Sequence, residues 1–121
     1  MMLVPPAQVR VYLRSGPTDM RKSFDGLFGL TKETLKQDPL SGSLFVFCNR
    51  RRDRLKILFS DGAGLWCCAK RLEGGTFRWP SLEEGKTSVQ LSSSELSMLL
   101  CGVEWQHVKH RRWRRFALAQ A

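Results

Sequence analysis

LFVFCNRRRDRLKILFSDGAGLWCCAKRL, residues Leu44 to Leu72, divides into three short apolar runs separated by two polar, turn-forming ones. Leu44–Cys48 is apolar at every position, and its shortness and aromatic content favour a buried strand over a helical segment. Arg54–Phe59 alternates, with Leu55, Ile57 and Phe59 directed one way and Arg54 and Lys56 the other. Such alternation is the mark of an antiparallel strand with one face on the core and one in water. Leu65–Leu72 carries Trp66 and ends in Lys70-Arg71. With turns at Asn49–Asp53 and Asp61–Gly64, the stretch predicts a β-meander. Its cations gather at the first turn, on the open face and at the far end, and the complement of such a surface is a polyanion.

Working outward, residues 1–8 contain Pro5-Pro6 and read as a lead-in, and Val9–Leu13 alternates as a first or edge strand with Arg10 on its wet side. Gly16-Pro17 interrupts it. Thr18 or Asp19 then caps a predicted helix over Met20–Lys36, with Met20, Phe24, Leu27, Phe28, Thr31 and Leu35 on one face. Gly26 and Gly29 inside that helix suggest close approach to the sheet. Asp38-Pro39 stops the helix and Ser41-Gly42 turns into the meander. Beyond Leu72, Glu73-Gly74-Gly75 reads as a turn, Thr76–Trp79 as a fourth strand ended by Pro80, and Ser88–Leu91 as a brief further strand. Ser92 with Glu95 forms a capping box ahead of Leu96, Leu99 and Leu100, in a short helix ending at Gly102. The expected architecture is a single α+β domain over residues 1–103. It holds a twisted, mostly antiparallel sheet of about four to six strands, one main helix on a face and a short C-terminal helix. Residues 104–121 form a basic, aromatic tail, in which Lys109, Arg111, Arg112, Arg114 and Arg115 stand against Glu104 among Trp105, Trp113 and Phe116.

The chain has 121 residues, long enough for an independent core, and an ordinary apolar share of 42%. Its charge is less ordinary: 20 Lys+Arg against 11 Asp+Glu leave +9, with a pI near 10.0. No segment approaches the ~20 apolar residues of a membrane span, and no charged start followed by an apolar run marks a secretory signal. Cys48, Cys67, Cys68 and Cys101 include no C-x-x-C pair, so neither a disulfide framework nor a structural zinc site is expected. Small buried thiols of a cytoplasmic protein are the expectation, with no metal and no cofactor.

Three constellations bear on chemistry. The first is the basic display itself, in the meander and in the tail from His107 to Arg115, where cations would neutralise phosphates and aromatic or guanidinium planes would stack on bases. The second is Thr18-Asp19-Met20-Arg21-Lys22, a helix start whose cations suit an anion unless Asp19 offsets them. The third is enzymatic: Glu84-Gly85-Lys86, with Asp61 upstream, matches the carboxylate and E-x-K set that some metal-dependent nucleases use. No Walker loop, H-E-x-x-H or nucleophile–base pair is present.

Several blocks together carry a resemblance. Thr18-Asp19-Met20-Arg21-Lys22 precedes Phe24-Asp25-Gly26-Leu27. Asp38-Pro39, Ser41-Gly42 and Leu44-Phe45-Val46-Phe47 follow, then Asp53-Arg54-Leu55-Lys56-Ile57-Leu58 and Asp61-Gly62 with Gly64. Lys70-Arg71-Leu72-Glu73 and the pair Phe77, Trp79 with Pro80 complete the set. In this order, over about Val9 to Gly102, the chain resembles the TnpB-type accessory protein of the sixty-six family of bacterial insertion sequences. The chain departs from that pattern at Ser23, where glycine is common, and at Cys48-Asn49, where a basic or glycine pair is common; its tail is more variable across the family. The resemblance implies a part in DNA transposition beside a separate DDE-type transposase, and no catalytic residue to carry over. The expected function is a non-enzymatic accessory factor in the cytoplasm, with DNA and the transposase as partners and no membrane. Its candidate contacts are Arg21, Lys22, Arg51, Arg52, Arg54, Lys56, Lys70 and Arg71, with Arg111, Arg112, Arg114 and Arg115 as a second arm. Two alternatives stand beside it. One is a protein–protein adaptor using an exposed patch of Trp66, Phe77 and Trp79. The other is a metal-dependent nuclease using Asp61, Glu84 and Lys86.

Overall fold

In the computed structural model of this chain, residues 9–80 and 85–101 are described. In chain order the elements are β1 (Val11–Arg14), α1 (Phe24–Glu33), β2 (Leu44–Cys48), β3 (Arg54–Ser60), β4 (Leu65–Arg71), β5 (Ser88–Leu91) and α2 (Ser93–Leu100). They form an α+β fold around a single five-stranded sheet of order β4-β3-β2-β1-β5. β1 and β2 pair in parallel, and all other neighbours are antiparallel. A parallel pair needs a crossover rather than a tight turn, and α1 supplies it.

β2 is buried at all five positions because it is covered on both sides. Phe45 and Phe47 pack with Leu27, Leu35 and Leu58 in a cluster under α1. Leu44, Val46 and Cys48 belong to a second cluster with Val11, Leu13, Leu55 and Phe77, closed by Leu96 and Leu99 of α2. The short C-terminal helix therefore lids the face that α1 leaves open. Its capping box is formed as expected, with Ser92 Oγ accepting from Glu95 N–H at 3.1 Å and Glu95 Oε1 from Ser92 N–H at 2.8 Å.

Three expectations need correction. The main helix begins at Phe24, not Met20, and its N-cap is Ser23 with no side-chain cap bond. Asp19 does not cap it, because its carboxylate is taken by Arg21 and its carbonyl closes a turn with Lys22 N–H at 3.1 Å. At the other end Lys36 adopts φ 57 and stops the helix short, while Gln37 N–H returns to Thr31 O at 3.1 Å. Neither helical glycine meets the sheet: a Cβ on Gly26 would lie 3.0 Å from Lys22 Cβ, and one on Gly29 would meet nothing within 4 Å. Finally, Thr76–Trp79 is not a strand. Residues 72–80 run as a strap across one end of the sheet, where Phe77 N–H donates to Arg52 O at 2.7 Å and Trp79 Nε1 to Arg14 O at 3.1 Å. The alternation of Phe77 and Trp79 serves ring burial beneath the sheet, not edge pairing.

Candidate nucleic-acid interface

The strand directions gather cations at one end of the sheet. β1, β2 and β4 finish there and β3 and β5 start there, so the lead-in to α1, the Asn49–Asp53 turn and Lys70-Arg71 all meet at that end.

The turn is built by Asn49. Its Oδ1 accepts from Asp53 N–H and Arg54 N–H, each at 3.1 Å, and its Nδ2 donates to Asp53 Oδ1 at 2.7 Å. Asp53 is held below the usual carboxylate range chiefly by that amide. The result presents Arg50 and Arg51 to solvent, with no side-chain hydrogen bond among the described residues. Arg52 behaves differently. At φ 62 it turns inward, where Nη2 donates to Ser15 O at 3.3 Å and the guanidinium lies 4.9 Å from the Trp79 ring centroid. Among the described residues its Nη1 is buried without a hydrogen-bond partner. Arg52 thus clamps turn, β1 and strap together. Burial pushes the neighbouring Cys48 thiol up despite that guanidinium, so it is no ready nucleophile.

On the sheet, Arg54, Lys56 and Arg71 lie on the α1 side, and Arg54 stands directly across from Arg71. Like charges opposed in this way are destabilising. Arg71 is partly offset by Glu73 at 3.0 Å, whereas the Arg54 guanidinium makes no hydrogen bond or ion pair among the described residues. With Met20 and Ala69 these residues line a shallow groove of about 390 Å³. Lys56 Nζ donates to Lys22 O at 2.8 Å and so fixes the lead-in of α1 beside the groove. Lys70 points to the opposite face and donates to Leu100 O at 2.6 Å, a cation on the last carbonyls of α2.

Arg21 grips Asp19 through both oxygens, at 2.7 Å to Oδ2 and 3.1 Å to Oδ1, while remaining 91% exposed. The side-chain hydrogen bond from Arg21 and its backbone N–H hold the Asp19 carboxyl at about 2, against an ordinary 3.8. A carboxylate depressed by folding contributes stability that is fully present above 3.8 and fades as pH falls through about 2. In an NMR pH titration the Asp19 carboxyl carbon is expected to turn over near 2 and to return toward 3.8 in Arg21→Ala. An unmoved midpoint would show that this clasp does not persist in solution.

Among the described residues neither alternative site is assembled. Asp61 sits in the β3–β4 hairpin at the far end of the sheet from Lys86. Its carboxylate is occupied by Ala63 N–H at 2.9 Å, Gly64 N–H at 2.8 Å and Trp66 Nε1 at 2.8 Å. Glu84 lies outside the described residues, as do the tail candidates Arg111, Arg112, Arg114 and Arg115 and the boundary at residue 103. No group of three potential metal ligands occurs among the described residues. The three aromatic rings do not form one patch either: Phe77 is 2% exposed and Trp79 is half-buried under Arg52, while Trp66 is 41% exposed at the hairpin end. No described helix is long and apolar enough to cross a membrane.

The family model described as IS66 Orf2 like protein matches residues 9–110. The chain belongs to that family. This IS66 Orf2-like protein is 43% identical over 113 residues to the uncharacterized protein y4hO of Sinorhizobium fredii, covering 93% of this chain and 96% of that one. It is 34% identical over 110 residues to y4jC of the same organism, covering 91% and 92% respectively. No solved structure matches. The family places the chain among insertion-sequence-associated proteins. The matched span contains the whole basic end of the sheet, and it stops one residue before Arg111.

Proposed function

We propose that this IS66 Orf2-like protein is a non-enzymatic DNA-binding accessory factor of insertion-sequence transposition, acting in the cytoplasm beside a separate DDE-type transposase. What supports the reading is the convergence of its cations. Arg21, Lys22, Arg51, Arg54, Lys56 and Arg71 gather at one end of the sheet with Arg50. The ion pairs between described residues there, Arg21–Asp19 and Arg71–Glu73, are both solvent-exposed. Exposed pairs are weak, so either guanidinium can exchange its carboxylate for a phosphate at little cost. Arg52 acts from behind by holding the turn. Lys70 lies at the margin on the other face, and Arg111, Arg112, Arg114 and Arg115 add further positive charge for phosphate.

Such a surface binds by releasing counterions and carries no base readout of its own. If about five cations contact duplex phosphates, log K falls against log salt with a slope near −4 to −5. Fluorescence anisotropy with duplexes of differing sequence, over a salt series, measures that slope. A salt-independent affinity, or none at low salt, would remove the reading. An adaptor role built on Trp66, Phe77 and Trp79 has less support, since Phe77 is core.

A further inference from the structure

Among the described residues β4 is the last strand on its side of the sheet and pairs only with β3. The bonds that bracket this pairing, Asp61 N–H to Gly64 O at 3.1 Å and Leu72 N–H to Asp53 O at 2.8 Å, fix which groups face inward. By the alternation of an antiparallel ladder, Leu65, Cys67, Ala69 and Arg71 turn their N–H and C=O groups outward. Among the described residues nothing pairs with them. Proteins usually protect such an edge by making it short, charged, bulged or proline-bearing. β4 is seven residues long, and its first five, Leu65–Ala69, carry no charge. Trp66 stands 41% exposed on it, its ring stacked on Phe59 at 6.1 Å.

We propose that β4 pairs antiparallel with β4 of a second copy, about a two-fold axis at Cys68. Outward groups must meet outward groups, so Leu65 faces Arg71 and Cys67 faces Ala69, an arrangement that uses the whole strand. Between them Trp66 faces Lys70 and Cys68 faces itself in a non-hydrogen-bonded pair. The strand is self-complementary in this register: each Lys70 stem, its ammonium on Leu100 O, stands opposite a Trp66, each Arg71 opposite a leucine, and no cation opposes a cation across the axis. A parallel, in-register pairing would instead set Lys70 on Lys70. The two-fold also sends the two basic ends in opposite directions, away from mutual repulsion. Because one edge-to-edge contact is small, the dimer is reversible and concentration-dependent. None of this rests on DNA binding.

Sedimentation equilibrium of the full chain, without nucleic acid, tests it. The expected mass rises with concentration from 13.9 kDa toward twice that value. Ala69→Pro removes an outward N–H while leaving the β3 ladder intact, and is expected to weaken association more than tenfold. Trp66→Lys, which sets an ammonium against Lys70 of the partner subunit, is expected to do the same. It keeps the proposal testable if the proline variant fails to fold, which circular dichroism reports. A thiol-specific bis-maleimide should join two wild-type copies and fail when Cys67 and Cys68 are both replaced by serine. A mass of 13.9 kDa at every concentration overturns the proposal. So does a dimer indifferent to both edge variants, which would put the contact on another surface.

Discussion

Arg54→Glu is expected to raise the thermal midpoint while it lowers affinity for DNA. Arg54 stands directly across from Arg71 with no side-chain partner of its own among the described residues. Reversing its charge turns a repulsive cross-strand pair into an attractive one. Each half of that change contributes ~0.2–1 kcal/mol in general, and exposure to solvent places this site toward the lower end. The midpoint should therefore rise by about 2–4 °C. The cost to Asp53 next door is small, because its carboxylate is held first by Asn49 and only last by Arg54. In binding, the same change would remove the proposed phosphate contact and add repulsion. At ~0.1 M salt the affinity should fall roughly tenfold and the salt slope should shrink by about 1, alike for all duplex sequences. Adding Arg51→Glu should deepen the loss by less than a second full factor of ten, because both side chains lie by Asp53 and the two changes share that neighbour. Lys56 is a poorer choice, because it also ties down Lys22 O. Calorimetry and anisotropy on the same samples decide the matter. A raised midpoint with unchanged affinity would take the DNA surface elsewhere, and a lowered midpoint would mean that Arg54 has a structural role.

The contrast between Arg54 and Arg52 marks how far the sequence alone could be read. Leu44–Cys48, Arg54–Phe59 and Ser88–Leu91 were legible almost to the residue as β2, β3 and β5, because hydrophobic period and turn chemistry are local signals. The Ser92–Glu95 box was legible for the same reason. The parallel pairing of β1 with β2 was not, since nothing in Val11–Arg14 encodes a partner more than thirty residues away. The start of α1 was missed because Asp19 had two uses, as cap or as ligand of Arg21, and the ion pair won. Charge could be counted but not aimed. Adjacent Lys70 and Arg71 had to lie on opposite faces of a strand, which the period of two states outright. Arg50, Arg51 and Arg52 occupy a turn, where no period applies. Only the left-handed φ of 62 at Arg52 shows that the third arginine holds the display from which the first two project.

Phe77→Ala is expected to be the most destabilising single change in the strap, at ~3–5 kcal/mol. The residue is 2% exposed and belongs to the cluster of Leu13, Val46, Leu55 and Leu96. No regular element holds its backbone, and its N–H bond to Arg52 O at 2.7 Å ties the middle of the strap to the sheet end, beyond the bond of Leu72 N–H to Asp53 O at 2.8 Å. A further tether runs through Trp79, by its bond to Arg14 O and its ring beneath Arg52. Emptying the Phe77 site therefore leaves a cavity and also frees the strap, so the lost energy should lie nearer the upper figure than for a residue inside a strand. Against a typical ~5–15 kcal/mol for a domain, this change alone removes much of the margin. Urea denaturation reads it directly, with Arg78→Ala as the control one residue away: that side chain is exposed and should shift stability by less than ~0.5 kcal/mol. Under conditions where Phe77→Ala is still folded, its DNA affinity should also drop, because the clamp that fixes the Asn49–Asp53 turn has lost its floor. Affinity held at the wild-type level in the folded variant would separate the strap from the display and leave Asn49 alone as its support. A stability loss below ~1 kcal/mol would contradict the packing itself, since a ring so deeply enclosed cannot be deleted that cheaply.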